Sequence, residues 1–417
     1  MGIFIVALGA LFYCYEYFLR VAPGVMEPQM RSYFHIDATM FGTLSAFYFY
    51  AYTPMQLFVG PIVDHFRTRI VIIIALAACT VGILLMSDSG TFMLAAAGRF
   101  LQGFGSAFAF VAALKLASIW LPSERFALAV GACGSLGFFG AGASQIYLDA
   151  LLQHLSWRST LHTFVVLGVI IIVCVAITLM IKPPKVILER RNHKPPSVKL
   201  HFRFFIEVLK IKRIWLIAIF SGLVFLPTSV FAALWGIPYL QILDHYSHTE
   251  ATIATAMIFV GWGIGAPLIG WISDHLHHRI GIIRIGTVIA AILSVPLLYL
   301  SSLPSWIVFL LFILFGIASS VQVLSFVIAS DLSPSKNAAG TAIAFVNFLT
   351  MIGGLIFQRG VGQILDWDWS GKIVNGIRIY NLMDYEHAMI IVPGSLVIAV
   401  IISFFIKDSV KHPEKHR

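Results

Sequence analysis

The sequence predicts an all-α membrane protein, twelve transmembrane helices in two pseudo-symmetric six-helix bundles. Three observations carry that reading. The 417 residues are 59 % hydrophobic and 11 % charged, with a mean hydropathy of +0.90, where a soluble globular chain carries about 25 % charged residues. Apolar runs repeatedly approach or pass the roughly 20 residues that cross a hydrocarbon core of about 30 Å, as in TFVVLGVIIIVCVAITLMI over 163–181. Finally, one piece of charged punctuation is written twice, 210 residues apart: GPIVDHFRTR at 60–69 and GWISDHLHHR at 270–279.

A bilayer admits only helices or a closed barrel, because every backbone polar group must be satisfied internally. Long uninterrupted apolar runs exclude the short alternating strands of a barrel. The opening MGIFIVALGALF lacks a basic n-region and a small-residue cleavage site, so it reads as a retained first span rather than a signal peptide. Val6 stands where a myristoylation signal needs Ser or Thr. The four cysteines, Cys14, Cys79, Cys133 and Cys174, all fall inside apolar runs. That placement reads as buried free thiols, with neither a disulfide framework nor metal-ligand spacing.

The spans fall in order at 3–28, 40–63, 70–89, 92–119, 125–152 and 159–181, then 213–240, 251–273, 282–301, 305–329, 338–365 and 386–406. The expected organisation is a first bundle over 1–182, a basic linker over 183–212, a second bundle over 213–406 and a tail over 407–417. The linker carries two Pro-Pro pairs and a piece able to lie on a membrane surface. With the N-terminus in the cytoplasm, the inner segments hold 20 Lys/Arg and the outer loops four, Arg31, Arg158, Lys372 and Arg378. That bias obeys the positive-inside rule and puts both termini inside. The net charge of +9 then reflects topology and anionic lipid, and gives no reason to invoke nucleic acid. The repeated decapeptides close spans 2 and 8, so the halves are repeats. Gly105 and Gly316, the Ala-Ser pairs at 117–118 and 329–330, and Gln145 with Gln358 recur likewise. Repeats of this kind imply a substrate site between two bundles that rock against each other.

At these residues the chain resembles the major facilitator superfamily over its whole length. Gly60, Asp64 and Arg69 match that family's loop signature, from which His65, Arg67 and Thr68 depart, and Gly270, Asp274 and Arg279 keep the second copy. Its span 4 signature stands complete as Arg99, Gln102, Gly103 and Gly105. The span 5 antiporter signature is not met, since GSLGFFGAG has the glycines without the proline; this disfavours efflux by antiport. More narrowly, YEYFLRVAPGVM (15–26), LSAFYFYAYTPMQ (44–56), RFLQGFGSAFAFVAALKLAS (99–118) and ALWGIPYL (233–240) resemble phagosomal transporters of intracellular gammaproteobacteria and, more distantly, lysosomal dipeptide carriers. The resemblance implies a multi-pass protein of a bacterial inner membrane. It also implies uptake of amino acids, short peptides or nucleosides, and a monomer.

Tyr13, Glu16, Tyr17 and Arg20 are spaced i, i+3, i+4, i+7 and share one face of span 1. Ionisable groups at this depth are costly and ordinarily face a partner or a water-filled cavity. The functional reading is a zwitterion site: Arg20 takes a carboxylate through its fork, Glu16 takes an ammonium or a proton, and the tyrosines bond or stack. The competing reading is a Glu–Arg pair that only neutralises itself. Arg99 has Gln102 and Ser106 on its face and divides between a coupling and a packing role. Asp64, Arg69, Asp274 and Arg279 are candidate gating residues, with Arg99. Gln145, Asn347 and Gln358 are open between substrate contact and interhelical bonding. Trp235 and Tyr239, in a span interrupted by Pro227 and Pro238, either gate the outer mouth or belong to an interfacial aromatic belt. Lys115 reads as snorkelling to the interface, and Arg359 as a cation buried in its span. His275, His277 and His278 beside Asp274 read as loop charge rather than a zinc site.

No Walker loop, HExxH stretch or Ser–His–Asp order stands in the chain, so no cofactor and no ATP-driven step is expected. The leading function is a secondary active or facilitative importer of small polar metabolites, with protons as a candidate co-substrate. Nucleoside uptake, efflux, a receptor on a transporter scaffold and a membrane enzyme are the alternatives. The last would need a nucleophile or acid–base pair at a membrane face.

Overall fold

A computed structural model of the protein describes residues 2–180, 198–301, 303–374 and 376–406. The linker at 183–197 and the tail at 407–417 lie outside the described residues. Span 1 is Gly2–Val25, span 2 is Ala38–Met55 continued by Val59–His65, and span 3 is Thr68–Ser87. Span 4 is Phe92–Ser106 with Ala109–Trp120, span 5 Ser123–Leu152 and span 6 Trp157–Thr178. After a surface helix at Val198–Leu209, span 7 runs through Lys212–Pro227, a π segment at Thr228–Trp235 and Gly236–Leu243. Spans 8 and 9 are His248–Leu276 and Arg279–Tyr299. Span 10 joins Ser305–Ser319 to Leu324–Asp331 through a 3-10 turn at Ser320–Val323, span 11 is Ala339–Asp368, and span 12 is Leu382–Met389 with Ile391–Phe405.

Local chemistry sets the ends. Asp37, Thr91 and Ser156 accept first-turn N–H groups of spans 2, 4 and 6, and Ser247 and Glu250 form a capping box on span 8. Span 1 stops at Val25, earlier than the expected residue 28, because Glu27-Pro28 starts a short helix of its own, Glu27–Phe34; proline is pre-organised for that first turn. The π segment sits between Pro227 and Pro238, the two prolines that mark span 7 in the sequence. Among the described residues, ten helical segments are long and apolar enough to cross a membrane. Spans 2 and 5 fall below that measure. Both pack across the molecule, span 2 on span 11 and span 5 on span 8, so protein covers a share of each.

Spans 1–6 form the first half and spans 7–12 the second. Spans 2, 4 and 6, and likewise 8, 10 and 12, run antiparallel to their odd-numbered neighbours. The chain therefore has a basic face, which bears the repeated decapeptides, and an opposite face, which bears a small antiparallel hairpin of β1 (Ile373–Val374) and β2 (Ile377–Arg378). The halves meet at this hairpin face. A Cβ on Gly42 would lie 2.4 Å from the Gln358 carbonyl oxygen, and one on Gly362 2.3 Å from that of Ala38; only glycine allows spans 2 and 11 so close. Their seam continues down to Gln56, whose Oε1 accepts from Asn347 Nδ2 at 2.9 Å. At the basic face, Gly60 and Gly270 have nothing within 4 Å of a Cβ position, and Asp64 and Asp274 are exposed.

Candidate functional site

The four span 1 residues converge with span 2. Arg20 donates Nε to Glu16 Oε1 at 2.8 Å, and its Nη2 bonds the same oxygen. The Tyr48 hydroxyl also donates to Glu16 Oε1. Glu16 is 0 % and Arg20 6 % exposed, and Glu16 Oε2 is buried without a partner among the described residues. Tyr17, Tyr48 and Tyr52 hold their rings 4.8, 5.6 and 4.7 Å from the guanidinium carbon, within cation–π range. Tyr13 reaches the Tyr17 hydroxyl at 3.3 Å. The pair is thus internal in this state, and it leaves one carboxylate oxygen for a further donor.

Arg99 lies one helix away. Nη1 donates to the Leu19 carbonyl at 2.6 Å and to Gln102 Oε1 at 2.9 Å, and the guanidinium sits 5.0 Å from the Tyr48 ring. It is fully buried, with Nε unpartnered among the described residues. The buried centre of the first half therefore holds two cations and one carboxylate. Tyr48 touches all three groups. Sequence reasoning missed Tyr48 and Tyr52, which stand in the aromatic-rich run AFYFYAY with no spacing signal to separate them from packing residues.

Aromatic rings carry this centre to the second half. Tyr17 meets Phe138 of span 5 at 5.8 Å, Phe138 stacks on Trp262 of span 8 at 4.9 Å, and Trp262 meets Phe225 of span 7 at 5.5 Å. Trp262 Nε1 donates to Thr228 Oγ1 at 2.9 Å, where the π segment begins. Deeper in the second half, Gln322 in the 3-10 turn donates to Ser221 Oγ at 2.6 Å, and Ser221 and Thr350 share a bond of 2.7 Å. That cluster is buried and neutral.

The remaining candidates occupy interhelical positions. Gln145 Nε2 donates to the Ala232 carbonyl at 2.7 Å and Gln358 Nε2 to that of Ser229 at 2.8 Å, so both repeat glutamines bond the π segment of span 7. Trp235 is fully buried and donates to the Gln358 carbonyl at 2.9 Å, and the buried Tyr239 hydroxyl bonds the Leu298 carbonyl. An aromatic belt does not describe them, since belt residues face lipid headgroups. Lys115 does not snorkel freely but pairs with Asp64 inside the first half, and Arg279 pairs with Asp331 inside the second. Arg69 is half-buried and Asp274 exposed, both on the basic face. Arg359, expected as a buried cation, is exposed on its helix. Among the described residues no three His, Cys, Asp or Glu side chains converge as a metal site would need.

This architecture defines a family. The model of the Major Facilitator Superfamily matches residues 6–358, and the chain belongs to that superfamily. An uncharacterised transporter of Bacillus subtilis, YybO, is 32 % identical over 143 residues, 34 % of this chain and 33 % of that one. The gentisate transporter of Corynebacterium glutamicum is 21 % identical over 377 residues, 87 % of this chain and 81 % of that one. Among solved structures, a bacterial homologue of the human lysosomal transporter Spinster, in an inward-facing and unoccupied conformation, has a TM-score of 0.74 at 17 % identity and covers 97 % of this chain and 96 % of that chain. The match to YybO thus spans about a third of that relative's length, whereas the structural match spans nearly all of both chains.

Proposed function

We propose that the protein is a secondary transporter that imports small carboxylate-bearing metabolites, amino acids foremost, by alternating access. The observation that carries this reading is the charge of the enclosed centre: Arg20 and Arg99 against Glu16 alone, caged by tyrosines. One cation beyond the internal pair calls for an anion, and unpaired charge in a membrane interior is expensive. A substrate carboxylate supplies that anion, and an α-ammonium finds the free Oε2 of Glu16. Glu16 is also the proton carrier of this reading, because protonation releases Arg20 and couples charge to the cycle.

The named gentisate carrier among the relatives fits a carboxylate substrate. The narrower likeness to phagosomal transporters fits amino acids. The basic face is the cytoplasmic one in this reading, by the positive-inside rule, and the chain works as a monomer. The joined hairpin face, with the open surroundings of Gly60 and Gly270 on the basic face, supports an inward-open carrier. Asp64, Arg69, Asp274 and Arg279 would act when that face closes.

Uptake into proteoliposomes tests the substrate class. A labelled amino acid and the matching carboxylic acid without its amine are compared, with and without an imposed proton gradient. Gradient-driven uptake of the amino acid in excess of the plain acid supports the reading. Equal uptake of both removes the ammonium from it, and uptake of neither, with nucleoside transported instead, overturns it. A reporter fused after Arg417 tests the orientation and must read as cytoplasmic.

A further inference from the structure

The hairpin face is closed by two contacts whose threonines, though not whose carboxylates, are related by the repeat of the chain. In one, Asp366 at the end of span 11 accepts from the Thr39 backbone N–H at 2.8 Å and from the Thr39 hydroxyl, in the first turn of span 2. In the other, Asp149 at the end of span 5 accepts from the Thr249 hydroxyl at 2.7 Å and lies 2.6 Å from His248 Nδ1, in the first turn of span 8. Thr39 and Thr249 stand 210 residues apart, the spacing of the two decapeptides. Gln153, which matches Asp366 at the 213-residue spacing of Gln145 and Gln358, also reaches Thr249, at 3.2 Å. Each contact joins one half to the other, carboxylate on one side and helix start on the other.

Physics makes both contacts strong and breakable. The first N–H groups of a helix have no intrahelical partner and carry partial positive charge, so Asp366, supplied by the opposite half, caps that of Thr39 in trans, whereas Asp149 bonds the His248 and Thr249 side chains of span 8's first turn. Charge-assisted bonds of this kind are roughly twice as strong as neutral ones, and water can replace them when the face opens. The two are unequal. Asp366 is further held by Tyr380 and by Arg378 Nη1 at 3.1 Å, Tyr380 accepts from the Ala38 N–H at 3.0 Å, and the Arg378 carbonyl accepts from Arg31 Nη2 at 2.8 Å. Burial, and the carboxylate it donates to, push the Tyr380 hydroxyl well above its ordinary range, so it stays a donor. The hairpin that carries Arg378 thereby straps the first clasp, whereas Asp149 among the described residues has beside its clasp only Gln153 Nε2, at 3.4 Å.

We propose that these two carboxylate–threonine clasps, Asp366 on Thr39 and Asp149 on Thr249, form the hairpin-face gate of the transport cycle, with the strapped Asp366 clasp the stronger. This rests on the chain's working by alternating access, and is independent of which substrate it carries. Spin labels on Leu155→Cys in the first half and Met383→Cys in the second, both exposed on this face, report the opening as a distance distribution in the lipid-reconstituted full chain, with the four native cysteines changed to alanine. No substrate is needed, so the outcome is separable from the carboxylate reading.

Asp366→Asn and Thr39→Val should each raise the ratio of separated to joined molecules by about tenfold or more, the size of a lost bond to a charged group. Asp149→Asn and Thr249→Val should raise it less. Thr39→Val and Thr249→Val nearly keep side-chain volume and carry the test should an Asp variant misfold. Asp88→Asn is the control: Asp88 pairs with His162 at 2.7 Å on the same face but within the first half, so it should leave the distribution unchanged. An unchanged distribution in the threonine variants, or an equal shift in Asp88→Asn, overturns the proposal. A larger shift from Thr249→Val than from Thr39→Val overturns the assigned order.

Discussion

The two halves share a scaffold and differ in chemistry. Span 4 is broken after Ser106 and span 10 at Ser320–Val323, so both repeats interrupt the same helix partway along its length. Gln145 and Gln358 recur as well, each bonded to a backbone carbonyl of span 7. Yet the first half buries Glu16, Arg20 and Arg99, while the second offers Ser221, Gln322 and Thr350. Broken helices line sites because their freed backbone groups need partners that lipid cannot supply. Under the proposed reading the repeats keep the geometry of a binding centre and divide its labour: charge on one side, neutral hydrogen bonding on the other.

The largest effect should come from removing the one anion. Glu16→Gln leaves Arg20 buried without its counter-charge, a loss of about 3–5 kcal/mol in comparable buried pairs. Proteoliposome uptake should fall by about a hundredfold or more and lose its dependence on the proton gradient. Arg20→Lys should fail nearly as badly. A point ammonium cannot reproduce the planar group that takes two bonds to Glu16 Oε1 while lying among three tyrosine rings. Wild-type uptake and coupling in Glu16→Gln would reduce the pair to structural filler and erase the contrast between halves.

Arg99→Gln comes next. It removes the cation that is in excess and the bond to the Leu19 carbonyl. A bond to a charged group contributes about 1.5–3 kcal/mol, so carboxylate affinity should fall by roughly ten- to a hundredfold in equilibrium binding. A drop in thermal stability with affinity intact would assign Arg99 to packing.

The charged side of this contrast was legible in the sequence, the neutral side was not, and the limits are physical. Apolar length marks ten of the spans among the described residues, because the bilayer fixes thickness, while spans 2 and 5 fall short of it. The decapeptides exposed the repeat, and i, i+3, i+4, i+7 spacing put Tyr13, Glu16, Tyr17 and Arg20 on one face. What one sequence withholds is which helix stands opposite. Tyr48 and Tyr52 enter the site only because span 2 directs their side chains at Glu16 and Arg20. The break in span 10 has no Pro or Gly to announce it, unlike the π segment between Pro227 and Pro238. Asp149 and Asp366 look like ordinary span ends until the 210-residue spacing of Thr39 and Thr249 is compared across halves.

A smaller effect should follow from the neutral side. Ser221→Ala removes the acceptor of Gln322 and the partner of Thr350, where a neutral hydrogen bond contributes about 0.5–1.5 kcal/mol. Binding of a plain carboxylate should change by less than about tenfold, while preference among amino acids with different side chains shifts. If Ser221→Ala weakened all carboxylates as much as Arg99→Gln does, the division of labour would not hold.

The smallest effect on affinity should appear at the basic face, where the halves differ in sign. Asp64, near the end of span 2, pairs with Lys115 of span 4, whereas Arg279, at the start of span 9, pairs with Asp331 of span 10. Both pairs are partly exposed, with side chains 23–41 % accessible; such pairs contribute about 0–1 kcal/mol. Neither touches the buried centre, so substrate binding at equilibrium should be unchanged in Asp64→Asn. Turnover should still slow severalfold, since this face must close and Asp64 is available there to meet the other half. The exchange Asp64→Lys with Lys115→Asp restores the local pair but puts the opposite charge at the rim. Recovery of turnover in that double variant would make the pair a local brace, and continued slowness would make Asp64 a gating residue. Loss of binding in Asp64→Asn with turnover of bound carrier intact would sink both readings.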